Sequence, residues 1–349
     1  MPQRSPGKAG PPAYVNAERR DADEGSAEVR PLASVVVAVY NSRERIHFAL
    51  DSLRSQDFKE SYEVIVVDSG SDGCADYVAA TYPEVRVVRS AQRLYPGAAW
   101  NTGVRAARGQ YIALLADDCV ARPDWLRLRV AKHQQGFEVV GGAVTNGTPF
   151  HPVGSADYYL EYSAQIPSAR ILAEQEIPHV ISCERAVFEC VGLYAEHFLA
   201  GSDTLFGARL RRAGVTVGFD ADVRIAHQNL TRLGPYLRHQ YEHGRSLARM
   251  FAEPAPGMWR PRLAPHEEPP LAAARRMFLV YPRRRWWASL TRIARGCPRW
   301  VPGYLLLTPL VWAGLYATAL GQWTEWRAIR SAADRPTRPT PSQPTDPLA

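Results

Sequence analysis

Two adjacent carboxylates, Asp117 and Asp118, interrupt the stretch 110–120 (QYIALLADDCV). The apolar run 112–115 just before them has the length of a core strand, not a helix. Two unpaired carboxylates inside a core would cost too much, so the pair must sit where the strand leaves the sheet. There it is either solvated in a turn or neutralised by something positive. A divalent metal carrying a phosphate ligand suits that position. Asp68 ends a second apolar run, 63–67 (EVIVV), and Tyr40 and Asn41 follow a third, 34–39 (SVVVAV). One polar strand end means little, but three on the same edge of a sheet imply a ligand site.

The elements that must position these residues alternate. A helical pattern follows Ser42, a candidate cap, with Ile46, Ala49, Leu50 and Leu53 at helical spacing. Further helices are expected at 75–81 and 97–107, and a strand at 85–88, so that the first 120 residues read β-α-β-α-β-α-β. Such alternation with short loops predicts an α/β fold with a doubly wound, mostly parallel sheet. Beyond it the pattern predicts helices at 123–135, 158–174, 184–190, 202–213 and 235–251. Strands are predicted at 137–144, 179–183, 215–219 and 223–226, the last ending at His227.

Composition bounds the function. The chain has 349 residues, 46% hydrophobic and 22% charged, with a net charge of +7. That balance suits an anionic substrate, an anionic membrane surface or nucleic acid, and does not choose among them. Five scattered cysteines with no CxxC pair argue against a structural zinc site or a disulfide framework. There is no P-loop, no GxGxxG and no basic-aromatic RNA module, so a nucleic-acid partner is not expected. Residues 1–31 carry no apolar segment and are expected to be a disordered tail without a signal peptide, and 325–349 is a second, Pro/Thr-rich tail. Residues 253–299 read as a Pro-rich, then basic amphipathic linker. Residues 300–324 contain no charged side chain, and about 25 residues at roughly 1.5 Å each can span a bilayer core. The expectation is one membrane-spanning or membrane-inserted helix with Pro309 as a kink. The alternative is a buried or interfacial helix pair on a soluble enzyme.

Taken in order, VVVAVYNS, VIVVDSGSDG, GAAWNTGVRAARGQYIALLADDCVARPDWL and GSDTLFGARLRRAGVTVGFDADVRIAHQ resemble the family 2 inverting glycosyltransferases of the GT-A fold. The resemblance spans about 33–250 and implies a GT-A domain over 32–252. It implies that Tyr40 and Asn41 meet the base and ribose of a nucleoside-diphosphate sugar, that Asp68 contacts the nucleotide, and that Asn101 lies beside the donor. It further implies that Asp117 and Asp118 form the DxD-type region, where Mn²⁺ or Mg²⁺ holds the diphosphate, with His227 a further ligand. Asp203 falls where the family places its catalytic base.

Each assignment has a structural alternative. Asp68 is equally an Asx-turn or cap residue. Asp203 or Ser202 can simply cap a helix, and a lone histidine is more often structural. Arg209, Arg211 and Arg212 read as a solvated helix face, although one of them, or Arg245, could reach a phosphate. The family's third acid is Ala116 here, which makes Asp118 the best single metal ligand and moves Asp117 towards ribose or the ion's water shell. The QxxRW motif of processive relatives is replaced by QYEHG at 240–244, favouring transfer of a single sugar. The expected acceptor is a hydroxyl on a lipid-linked or cell-surface glycan, in cell-envelope polysaccharide synthesis at the cytoplasmic face of the cell membrane. The competing readings are a nucleotide-sugar-binding scaffold without turnover and, behind it, a nucleotidyltransferase.

Overall fold

The computed structural model describes residues 30–168, 180–215, 217–252 and 268–333. Eight strands form one sheet in the order β3-β2-β1-β4-β7-β6-β8-β5. They are β1 (Ala33–Val39), β2 (Tyr62–Asp68), β3 (Arg86–Arg89), β4 (Tyr111–Ala116), β5 (Cys119–Ala121), β6 (Val139–Asn146), β7 (Ile181–Glu184) and β8 (Val217–His227). The pairings β1 with β2 and β4, β2 with β3, and β6 with β8 are parallel. Strand β7 runs antiparallel to both β4 and β6, and β5 antiparallel to β8. The sheet is therefore mixed, with all but β5 and β7 pointing one way.

The central strands are apolar throughout because both faces are covered. Val35, Val37, Val66, Ala113 and Leu115 pack on one side with α1 (Ile46–Arg54), α2 (Cys74–Thr81) and α4 (Trp125–Gln134). Val36, Ile65, Val67, Ile112 and Leu114 pack on the other with α3 (Pro96–Ala106), α6 (Arg185–Val191) and α7 (Ser202–Arg212). Each fully buried Val or Leu contributes about 1.5–3 kcal/mol, which makes a strand slip costly and pins the register that places the strand ends.

Several local expectations are corrected. Helix α1 begins at Ile46, and Ser42 supplies a backbone carbonyl to the amides of Arg45 and Ile46 rather than a side-chain cap. The helix expected over 158–174 is α5 (Pro152–Tyr162), started by its proline; positions 169–174 lie outside the described residues, as does the first residue of the strand expected at 179–183. The two strands expected at 215–219 and 223–226 are one strand, β8, with a register shift opposite Gly142/Ala143. An Asx turn drives that irregularity, in which Asp220 Oδ1 accepts the Asp222 amide at 2.8 Å.

The C-terminal region differs most. Positions 254–267 of the Pro-rich run and 334–349 of the expected tail lie outside the described residues. After α8 (Leu233–Ala252) come α9 (Pro270–Arg275), a π-helical segment (Arg276–Val280), α10 (Tyr281–Gly296), α11 (Val301–Leu306) and α12 (Thr308–Ala333). The single helix expected over 300–324 is broken. Pro298–Leu306 and Thr308–Ala333 meet at a bend of 73°, and no single helix among the described residues is long and apolar enough to cross a membrane. Residues 325–333, expected in the tail, continue α12. Helix α12 lies against α8 so closely that a Cβ on Gly244 would come within 2.0 Å of the Thr318 carbonyl oxygen. Glu325 on α12 binds Arg245 at 2.9 Å and Arg249 at 2.6 Å on α8. Leu160 of α5, Ile293, Tyr304, Val311 and Leu315 form a further small core. The segment after 268 thus packs directly onto the helices that follow the sheet.

One buried polar cluster under the sheet gives a test of the fold. His133 Nδ1 donates to the Phe137 carbonyl at 2.7 Å, and Nε2 accepts from the Ser182 hydroxyl at 2.8 Å. The Ser182 oxygen in turn accepts from Arg129, 3.2 Å away. That chain suits the neutral imidazole, and burial pushes His133 down to about 4. A depressed pKa means that the unfolded chain binds the proton first, so stability falls as pH drops from about 6.5 towards 4. In urea titrations across that window His133→Gln will show a shallower loss than the parent. The difference expected is on the order of 3 kcal/mol between the two ends.

Candidate active site

The carboxyl ends of β1, β4 and β8 open into a cleft of about 590 Å³, closed on its far side by α5, α7, α8 and α12. Tyr40, Asp117, Asp118, Asp203 and His227 line it. Asn41, Asp68 and Asn101 do not, and the structure gives each a local role.

Register brings the first pair together. Strand β5 starts immediately after Asp118 and pairs antiparallel with β8, Cys119 opposite His227. The Gln228 amide donates to the Asp118 carbonyl at 2.8 Å, tying the two chain segments. Asp118 Oδ1 then faces His227 Nε2 at 3.4 Å. The other ring nitrogen, Nδ1, lies 2.9 Å from Asn229 Oδ1. The Asn229 amide orientation is fixed, because its Nδ2 donates to Asn146 Oδ1, Thr148 Oγ1 and the His227 carbonyl. Its Oδ1 must therefore accept, so in the neutral ring Nδ1 carries the proton and Nε2 presents its lone pair towards Asp118. One carboxylate oxygen and one imidazole lone pair at this separation suit a shared dication, since ligands bound at about 2.0–2.2 Å around one ion stand roughly 3–3.5 Å apart. A nitrogen donor favours Mn²⁺ over Mg²⁺. Cys119 also lies within reach, but burial, then Asp118, push its thiol well up, which disfavours the thiolate a metal would need.

Asp117 is placed differently. Its Oδ2 lies 3.2 Å from Arg45 Nη2, which also donates to Ser42 Oγ. Burial and the neighbouring Asp118 push Asp117 up to about 6, against the pull of Arg45. Two adjacent carboxylates with one arginine between them and solvent form a site that gains from a bound cation.

Asp203 lies in the first turn of α7, where its Oδ1 accepts the Thr204 amide at 2.7 Å. Gly201 precedes the helix at φ 97°. That left-handed conformation turns the chain so that Ser202, Asp203 and Thr204 all face the cleft. Tyr40 is 40% exposed at the rim, with the Arg93 guanidinium 4.3 Å above its ring. The rim thus offers a flat surface and a positive charge to a planar anionic ligand.

The three remaining predicted residues hold loops. Asp68 is buried, and its two carboxylate oxygens accept the Gly70 and Ala75 amides, each at 2.8 Å. Asn41, at φ 51°, accepts the Ser71 amide at 2.8 Å and so joins the loops after β1 and β2. Asn101 clamps the segment after α6, donating to the Tyr194 carbonyl at 2.8 Å and accepting the Tyr194 amide at 2.9 Å. Arg209 donates to the Leu193 carbonyl and Arg245 pairs with Glu325, so neither is aimed into the cleft.

Sequence reasoning missed Arg45, Arg93, Arg285 and the group Asp157, Glu161, His239, Gln240 and His243, all of which line the cleft. The one sequence signal was His239 and His243 at i, i+4 on a helix, a spacing that puts both rings on one face.

Residues 34–186 match the family model described as Glycosyl transferase family 2. Glycosyltransferase AglE of Haloferax volcanii is 28% identical over 241 residues, covering 64% of this chain and 78% of that protein. The succinoglycan biosynthesis protein ExoO of Rhizobium meliloti is 38% identical over 103 residues, 29% of this chain and 30% of its own length. Among solved structures, the mannosyltransferase PcManGT from Pyrobaculum calidifontis, in complex with GDP-Man and Mn²⁺, superposes with a TM-score of 0.54. It is 21% identical, and the superposition covers 84% of this chain and 88% of that one, a likeness of fold.

Proposed function

We propose, for a chain whose residues 34–186 match the family 2 glycosyltransferase model, the metal-dependent transfer of a single sugar from a nucleoside-diphosphate donor to an acceptor hydroxyl, with inversion at the anomeric carbon. The observation that carries this reading is the meeting of the Asp118–His227 pair, 3.4 Å apart, and Asp203 in one cleft beyond the strand ends. Asp118 and His227 would hold Mn²⁺ or Mg²⁺. When bound, the ion offsets the charge of the diphosphate and stabilises it as a leaving group. Arg45, held over Asp117, is near enough to add positive charge to the same region. Tyr40 with Arg93 suits the base or ribose. Asp203 takes the proton from the acceptor hydroxyl as its oxygen attacks the anomeric carbon opposite the leaving diphosphate, and one such displacement inverts that carbon. The Mn²⁺ in the Pyrobaculum neighbour accords with this choice of ion.

The acceptor we propose is a lipid-linked or cell-surface glycan met at the cytoplasmic face of the cell membrane, in building an envelope polysaccharide. The outer surface of the C-terminal helices supports this, because Leu279, Trp287, Leu305, Leu306 and Leu320 are exposed among arginines such as Arg283 and Arg284. Exposed aliphatic and tryptophan side chains beside cations suit attachment to an anionic membrane. A thermal-shift series of nucleoside diphosphates tests the donor assignment. One base should raise the melting temperature, and only with Mn²⁺ or Mg²⁺ present; equal shifts with and without the ion would contradict the metal site.

A further inference from the structure

We propose that Glu161, His239 and His243 form a second cation site in the same cleft, selective for a transition-metal dication and sharing no residue with the Asp118–His227 pair. His239 and His243 sit one turn apart on α8, ring centroids 4.1 Å apart, and Glu161 reaches them from α5. His243 Nδ1 lies 3.5 Å from Glu161 Oε1, and one ligand atom from each of the three residues falls within 4.8 Å of the others. Ligands bound at about 2.0–2.2 Å to a tetrahedral ion stand roughly 3.4 Å apart, so small side-chain adjustments complete the set.

The surroundings hold Glu161 in place. Gln240 Nε2 donates to Glu161 Oε1 at 2.6 Å and to Asp157 Oδ1 at 3.3 Å. The two carboxylates take the amide nitrogen of Gln240, which leaves its Oε1 facing the Thr318 hydroxyl of α12 at 3.1 Å. Asp157 is tied to the Leu230 amide at 3.1 Å. Ligating carboxylates are commonly oriented by such outer partners. Asp157, which shares the Gln240 amide with Glu161, places a second carboxyl group in the same recess as the two imidazoles. Two imidazoles and one carboxylate select Zn²⁺ or Mn²⁺ over Mg²⁺ or Ca²⁺, and the set leaves coordination positions open to the cleft for an oxygen ligand.

Titration of the chelator-treated full-length protein with Co²⁺, followed by its visible absorption and by equilibrium dialysis, tests this. The parent should take up two equivalents. Asp118→Asn should keep the equivalent that His239→Asn, His243→Asn and Glu161→Gln each lose, and those three should keep the one that Asp118→Asn loses. Each variant thereby reports its own folding through the site it retains. A single equivalent lost in Glu161→Gln and His243→Asn but kept in Asp118→Asn supports this site while counting against the donor-metal reading. A single equivalent that is lost in Asp118→Asn and kept in Glu161→Gln and His243→Asn, no uptake at all, or two equivalents that both survive in all three of Glu161→Gln, His239→Asn and His243→Asn, overturns the proposal.

Discussion

Asp118→Asn will abolish metal-dependent donor turnover, a loss on the order of 10³-fold, whereas Asp117→Asn will cost about tenfold to a hundredfold. The asymmetry follows from where the two carboxylates point. Asp118 Oδ1 faces the lone pair of His227 Nε2 at 3.4 Å, and the Asn229 contact fixes that ring. Removing its charge removes half of the ligand pair, and with it the several kcal/mol that a dication supplies at a developing phosphoryl charge. Asp117 already has a partner in Arg45, 3.2 Å away, and its loss removes one charge-assisted contact of about 1.5–3 kcal/mol. Donor hydrolysis rates measured against Mn²⁺ concentration check both. Asp118→Asn should fail to respond to the ion, while Asp117→Asn should saturate at higher concentration. Equal losses in the two variants would contradict the assignment.

Asp203→Asn will lower sugar transfer by about 10²–10⁴-fold, the usual contribution of a positioned general base, while leaving donor affinity unchanged. Asparagine keeps an acceptor for the Thr204 amide, now 2.7 Å from Asp203 Oδ1, so the first turn of α7 persists. The helix loses only the favourable charge at its N-terminus, about 0.3–1 kcal/mol. Calorimetric donor titration beside a transfer assay separates the two roles. A merely structural Asp203 would lower stability with little effect on the rate per folded molecule.

The strands of the first half were legible because each is buried on both faces and reads as an unbroken apolar run. Val35 to Val37 and Ile112 to Leu115 are almost wholly inaccessible. The candidate site was only partly legible, for reasons that differ by residue. Asp117 and Asp118 were found from the strand that ends in them, Asp203 and His227 by resemblance, and all four line one cleft, but the contact of Asp118 with His227 depends on the β5–β8 register, a long-range pairing that no local pattern encodes. Asp68, Asn41 and Asn101 stand at the expected strand ends and helix, yet their polar atoms are bound to backbone amides and carbonyls of adjoining loops. An acid after a strand reads the same whether it binds a ligand or a turn. Arg45 and Arg93 were invisible because an arginine on a helix or loop reads as a solvated charge until the fold turns it inward.

The charge-free stretch 300–324 was only partly legible for a different reason. Thr318 and Gln322 carry no charge and so pass as lipid-compatible, but they are buried, with Thr318 bonded to Gln240 of α8. Counting charges cannot distinguish lipid from a neighbouring helix, whereas the break at Leu307 falls just before Pro309, the residue expected to kink the segment.

The central claim is that this cleft cleaves a nucleoside-diphosphate sugar with the help of a metal ion. Incubating the purified protein with the donor whose nucleotide stabilises it, with Mn²⁺ or with excess chelator, and identifying the phosphorus-containing product tests it most directly. The account predicts slow release of nucleoside diphosphate that chelation suppresses; release of pyrophosphate, or tight donor binding with no product in the presence of Mn²⁺ and acceptor, would contradict it.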